Sequence, residues 1–185
     1  MKEVSDMEAR LGCQIPRSLR RVFLDYSARV HIEWRLPESS VRPEVFRHVW
    51  AGECRWDMES LPDLFDIYRG CLGVFPDPDD YWDGPWQNKF PVLEVMNGDM
   101  LGIDLDEQQP VVYLSHEGDD SVHGYWLGKD FEDYVDRRSL LGCVGSEDWQ
   151  LKPFVSGPRS LLETEGANAW NWREWFGLQL SIDTE

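Results

Sequence analysis

The stretch FPVLEVMNGDMLGIDLDEQQPVVYLSHEGDD, residues 90–120, sets three apolar runs, FPVLEVM, MLGIDL and VVYLSH, between polar breaks. Each run has the length of a strand and falls short of a helix. Asn97 and Gly98 separate the first two, and Asn-Gly is a strong hairpin signal because both residues tolerate positive φ. The segment therefore predicts an antiparallel meander. Within it, Leu101, Ile103 and Leu105 alternate with Gly102, Asp104 and Asp106 as in a half-buried strand, which puts the two aspartates toward solvent.

On the C-terminal side, Gly124 to Leu127 offer a further strand. Asp130 then stands at the N-cap of KDFEDYVDRRSLLG, whose Phe131, Tyr134, Val135 and Leu141 share a helical face. A last helix places Trp172, Trp175 and Phe176 together and ends at Gly177. On the N-terminal side, Ser5 and Glu8 fit a capping box for a helix closed by Gly12. Pro16 opens a second helix with Leu19, Val22, Phe23 and Tyr26 on one face and Arg17, Arg20 and Arg21 toward water. Val30, Ile32, Trp34 and Leu36 alternate as a strand, and PEVFRHVWAGECRW holds a weaker one. Ser60 and Pro62 mark a helix with Leu61, Leu64, Phe65 and Tyr68 inward, expected to end near Gly70. FPDPDDYWDGPWQN, residues 75–88, has neither period and reads as a loop. The sum is an α+β fold, a mainly antiparallel sheet flanked by helices. It forms a single domain over residues 1–154 with a C-terminal extension, 155–185, whose short helix docks on it.

The composition narrows the function. The 185 residues are 42% hydrophobic and include ten Trp, so the chain folds despite a formal net charge of −17. That charge is uneven: residues 1–50 carry a net +2 and residues 51–185 a net −19. Such a field repels nucleic acid and anionic lipid and steers in a basic protein. No apolar run reaches membrane-spanning length, and MKEVSDMEARLG lacks the apolar core of a secretion signal. Cys13, Cys54, Cys71 and Cys143 form no C-x-x-C pair, so free thiols in a reducing cytoplasm are expected.

Candidate chemistry is thin. Asp104, Asp106, His116, Glu117 and His123 could in principle converge on a metal, but strand alternation already accounts for the aspartates. HEGDDSVH spaces its histidines seven residues apart and not the four of H-E-x-x-H, so they stand two helical turns from each other and do not form that zinc motif. DPDDYWDG fails as a calcium loop for want of Gly at the sixth place, and GYWLGKD is one residue short of a phosphate loop. The Asp119–Asp120 pair reads as solvated. His116 reads as a strand-ending histidine whose ring bonds a turn backbone. No catalytic residue, metal or cofactor is expected. The acidic loop is different: Asp77, Asp79, Asp80 and Asp83 surround Trp82 and Trp86, and aromatic anchors within a charged rim are the chemistry of a protein interface. The competing reading folds both Trp back over the core edge.

Five segments, EARLGCQIPRSLRRVFLDY, RWDMESLPDL, NGDMLGIDL, VVYLSHEG and LGKDFEDYV, together resemble the SUKH superfamily, which includes the fungal Smi/Knr cell-wall regulators. Gly98, Asp99, Asp104 and His116 are the most particular matching positions. The DPDDYWDGPW loop and the chain after about Phe154 lie outside the resemblance. The resemblance implies an α+β binding protein without catalysis. Many bacterial members are immunity proteins that neutralise a toxin, often a nuclease, and fungal members are regulatory scaffolds. The expectation is therefore an immunity protein for a basic toxin domain. A Smi/Knr-type scaffold is the alternative, and a metal-assisted hydrolase using Asp104, Asp106 and His116 comes third.

Overall fold

A computed structural model describes residues 2–106, 108–117 and 122–178. Helix α1 (Lys2–Leu11) buries Val4 and Met7 and stops at Gly12, whose φ is +71°. Ser5 lies inside this helix and does not cap it, because Val4 already belongs to the buried face and the first turn forms upstream. Glu8 works at the other end, accepting from the N–H of Ile15 at 3.3 Å and pairing with Arg20 at 3.6 Å.

Pro16 precedes α2 (Arg17–Arg21), which widens into a π turn over Val22–Tyr26. Leu19, Val22 and Phe23 are buried, yet Tyr26 is 74% exposed. The wider turn rotates Tyr26 off the face that an α-helical period assigns it. Strands β1 (Arg29–Arg35) and β2 (Ala51–Asp57) then pair antiparallel as a separate two-stranded sheet, with Trp34 opposite Gly52. A Cβ at residue 52 would come within 2.2 Å of the Trp34 ring and 2.4 Å of the Cys143 carbonyl, so only glycine fits there. Ile32, expected inward, is exposed on the outer strand.

Helix α3 (Leu61–Val74) carries Pro62 in its first turn and buries Leu61, Leu64 and Tyr68. It runs through Gly70 to Val74, because both Gly70 and Gly73 face open space while Cys71 and Leu72 still pack on the core. After the 75–88 loop come β3 (Lys89–Glu94), β4 (Met100–Asp104), β5 (Val111–Leu114) and β6 (Trp126–Gly128). They form a four-stranded antiparallel meander in that order.

The β3–β4 turn closes with the Gly98 N–H on the Val95 carbonyl at 2.9 Å and the Val95 N–H on the Asp99 carbonyl at 2.7 Å. Only Gly98 takes a positive φ, +95°, so this is a turn followed by a left-handed glycine. The strands are buried on both faces, unlike the half-solvated pattern expected. Gly102 sits beneath Lys89 and Leu114, and Asp104 is not simply solvent-facing: it pairs with the buried Lys89 at 3.0 Å.

Helix α4 (Phe131–Leu140) starts at Asp130, whose carboxylate accepts from the Asp133 N–H at 2.9 Å. A short α5 (Asp148–Leu151) follows, then α6 (Ala167–Phe176), ended by Gly177 at φ +77°. Trp172 of α6 is fully buried, with ring centroids 5.4 Å from Phe46, 6.1 Å from Phe154 and 6.1 Å from Trp34. Its indole N–H donates to the Leu141 carbonyl at 2.9 Å, so this helix shares one core with the two sheets. No helix among the described residues is long and apolar enough to cross a membrane.

Candidate interaction surface

The polar residues of the meander form two unconnected pairings. Asp99, 1% exposed, is the centre of the first. Its Oδ2 accepts from the Tyr113 hydroxyl at 2.6 Å and the Asn97 amide at 2.7 Å. Its Oδ1 takes the His116 N–H at 2.9 Å and lies 2.7 Å from Nδ1 of the same residue. Burial opposes ionisation, but these bonds outweigh it and hold the carboxyl below its ordinary range, whereas burial beside Asp99 pushes the Tyr113 phenol up. The His116 ring therefore bonds a buried carboxylate, where a backbone group was expected. It also covers Gly98, where an added Cβ would meet it at 3.3 Å. Gly98, Asp99 and His116 thus lock the turn to the end of β5.

Asp104 belongs to the second pairing. One of its oxygens holds Lys89 and the other caps the Asp106 N–H at 3.0 Å. Among the described residues, no group of three or more His, Cys, Asp and Glu is placed to hold a metal ion. Asp104 and His116, named together in the hydrolase reading, serve different partners. Asp119 and Asp120 lie outside the described residues.

The acidic loop is fixed from below. Trp86 is 0% exposed and stacks on Phe75 at 4.9 Å, while its carbonyl accepts from the Tyr68 hydroxyl at 2.6 Å. The Gln87 amide donates to the Phe75 carbonyl at 2.7 Å. Trp86 is accordingly a core residue and offers a partner nothing, which corrects its reading as an anchor. Trp82 is half-buried, its ring stacked 4.2 Å from His123. The Ser115 N–H donates to His123 Nδ1 at 2.9 Å, so the ring proton sits on Nε2 and is donated to the Trp82 carbonyl at 2.8 Å.

Above this floor the carboxylates fold the loop on itself. Asp77 caps the Asp79 N–H at 3.0 Å, and Asp83 caps that of Asp77 at 3.1 Å. Asp80 accepts from Trp82 at 2.8 Å and Asp83 at 3.1 Å. Those N–H groups draw the Asp80 carboxyl below its ordinary value, so it stays ionised into mild acid. Asp77, Asp79 and Asp80 face solvent, and Asp83 is half-buried. The aromatic presented among them is Tyr81, 88% exposed, which the sequence reading passed over. Its only sequence signal was its place beside Trp82 in the acidic run.

No curated protein and no solved structure matches the chain. A family model described as SMI1 / KNR4 family (SUKH-1) matches residues 2–137, which take in both sheets, the Asp99 knot and the acidic loop. The SUKH resemblance carried by the NGD and SH segments is thereby established, and the chain belongs to the SMI1 / KNR4 family.

Proposed function

We propose that this chain is a non-catalytic immunity protein that occupies a basic toxin domain, such as a nuclease, through the loop 77–83. The observation that carries the reading is a loop made rigid by the buried Trp86 and the His123 contact, which holds Asp77, Asp79, Asp80 and the exposed Tyr81 outward. A preformed acidic rim lowers the ordering cost of association, and the net charge of −17 speeds encounter with a cation-rich surface. Tyr81 supplies the apolar contact that slows escape, with Trp82 at its flank. Family membership supports binding over turnover.

Affinity capture from the producing cells tests the proposal, with the wild type compared to a variant carrying Asp79→Asn, Asp80→Asn and Asp83→Asn. Recovery of one stoichiometric basic protein, whose toxic activity the wild type suppresses and the variant suppresses less, is the expected result. A set of wall-synthesis or signalling proteins captured equally by both would replace this reading with the regulatory scaffold.

A further inference from the structure

Residues 141–145, between α4 and α5, run along the outer edge of β2. Val144 bridges Gly52, the Gly145 N–H donates to the Ala51 carbonyl at 3.0 Å, and the Trp34 indole donates to the Gly142 carbonyl at 2.6 Å. This path places Cys143 against Cys54 of β2. Both thiols are buried on the two sides of the Gly52–Val144 bridge, and each influences the ionisation of the other. Cys143 has φ +55°, a conformation uncommon for a residue with a side chain, and its own N–H is tied to the Arg138 carbonyl at 2.7 Å.

Arg138 is the independent observation. It is fully buried, lies over the Tyr134 ring at 5.7 Å and donates to the carbonyls of Gly145 and Glu53. Its Nε atom, also buried, has no hydrogen-bond partner among the described residues. The Glu53 carboxylate is turned to Arg55 at 2.8 Å and to Ser146 at 3.1 Å. The guanidinium bonds neutral carbonyls where a buried cation ordinarily has an anion beside it. A thiolate at Cys143 would supply that anion. The neighbouring Cys54 thiol and the charge of Arg138 both favour ionisation of Cys143 against the opposing effect of burial, whereas Cys54 itself is pushed up.

We propose that Cys54 and Cys143 form a redox-active dithiol in which Cys143 is the attacking thiolate, Arg138 its counter-ion and hydrogen peroxide its oxidant. The Cys143 sulfur attacks one peroxide oxygen, the O–O bond breaks, and the departing hydroxide takes a proton from solvent to become water, leaving a sulfenic acid. The Cys54 sulfur then attacks the Cys143 sulfur. The S–O bond breaks, and the leaving hydroxide departs as a second water with the proton of Cys54. Two thiols give up two electrons in all, and the peroxide takes them. The product is a disulfide that staples β2 to the α4–α5 connection and that a cellular dithiol can reverse.

The test uses the reduced full chain, treated with one equivalent of hydrogen peroxide at neutral pH and read by intact mass and peptide mapping. The expected result is loss of two hydrogens, a Cys54–Cys143 cross-link reversed by dithiothreitol, and Cys13 and Cys71 still open to iodoacetamide. Burial raises those two thiols, so Cys143 should alkylate with a midpoint at lower pH than Cys13. Cys54→Ser should leave a sulfenic acid on Cys143 that dimedone traps. A Cys13→Ser, Cys71→Ser variant, which keeps the pair intact, repeats the measurement should Cys54→Ser fail to fold. Oxidation confined to Cys13 or Cys71, or a folded Cys13→Ser, Cys71→Ser chain that keeps both remaining thiols reduced, would overturn the proposal.

Discussion

Asp99 and the aspartates of the 77–83 loop are the same residue put to opposite uses. The Asp99 carboxylate is enclosed by Tyr113, Asn97 and His116, so its charge is consumed inside the protein. Among the described residues, the loop carboxylates bond N–H groups of their own loop, and Asp77, Asp79 and Asp80 keep their outer faces toward water. An aspartate that joins distant segments holds the fold. One that bonds only its neighbours shapes a surface and leaves its field for a partner.

The sharpest way to break this contrast is to remove a side chain from each half. Asp99→Ala strands the Tyr113 hydroxyl and the His116 N–H in the interior and should cost about 3–5 kcal/mol of stability in urea unfolding. Trp86→Ala should cost a similar amount, about 3–5 kcal/mol, because it empties a packed site beside Phe75. If either variant unfolds at the wild-type midpoint, the division between holding and presenting residues fails.

Smaller effects are expected on the presenting side. Tyr81→Ala should leave the unfolding midpoint in place and raise the partner's dissociation rate about 10- to 30-fold, as loss of an interface anchor does. The Asp79→Asn, Asp80→Asn, Asp83→Asn variant keeps an oxygen at each cap and so keeps the loop. It should lower the association rate about tenfold at low ionic strength and flatten its salt dependence, as read by stopped-flow mixing with the captured partner. An unchanged association rate would remove this loop from recognition.

Sequence periodicity located the elements well where the cause was local. Asn97–Gly98 marked the hairpin because Gly98 alone supplies the left-handed residue, and Gly177 marked the end of α6 in the same way. What stayed hidden depends on contacts between distant segments. Nothing near Arg138 signals that its charge is buried, since its acceptors are the Gly145 and Glu53 carbonyls. Spacing alone could not choose between Trp86 and Tyr81 as the outward aromatic. That choice is made by Phe75 and by the Tyr68 hydroxyl of α3, which draw Trp86 in. The pairing of His116 with Asp99 was illegible for the same reason, because it requires β5 to lie where the β3–β4 turn can reach it.

His123 connects the two halves, and its titration gives the smallest and most specific test. Burial lowers its pKa from the ordinary 6.5, partly offset by the bond to the Trp82 carbonyl and the charge of Asp99. A second proton would go on Nδ1, the atom that accepts from the Ser115 N–H, so protonation breaks the bond anchoring the ring to β5. The native state therefore resists a proton that the unfolded chain accepts readily. The stability contributed by neutral His123 is fully present above pH 6.5 and is lost as pH falls from there through the lower folded value. Asp99 follows the same sign in a more acidic window: its contribution stands above the ordinary 3.8 and disappears below it. Between about pH 7 and pH 5 the urea midpoint should fall, and the Trp82 environment should change with it. His123→Asn keeps an acceptor for Ser115 and a donor for Trp82 but cannot titrate, so it should remove that decline while sparing the one below 3.8. Equal slopes for His123→Asn and wild type would show that the floor of the acidic loop does not respond to protons.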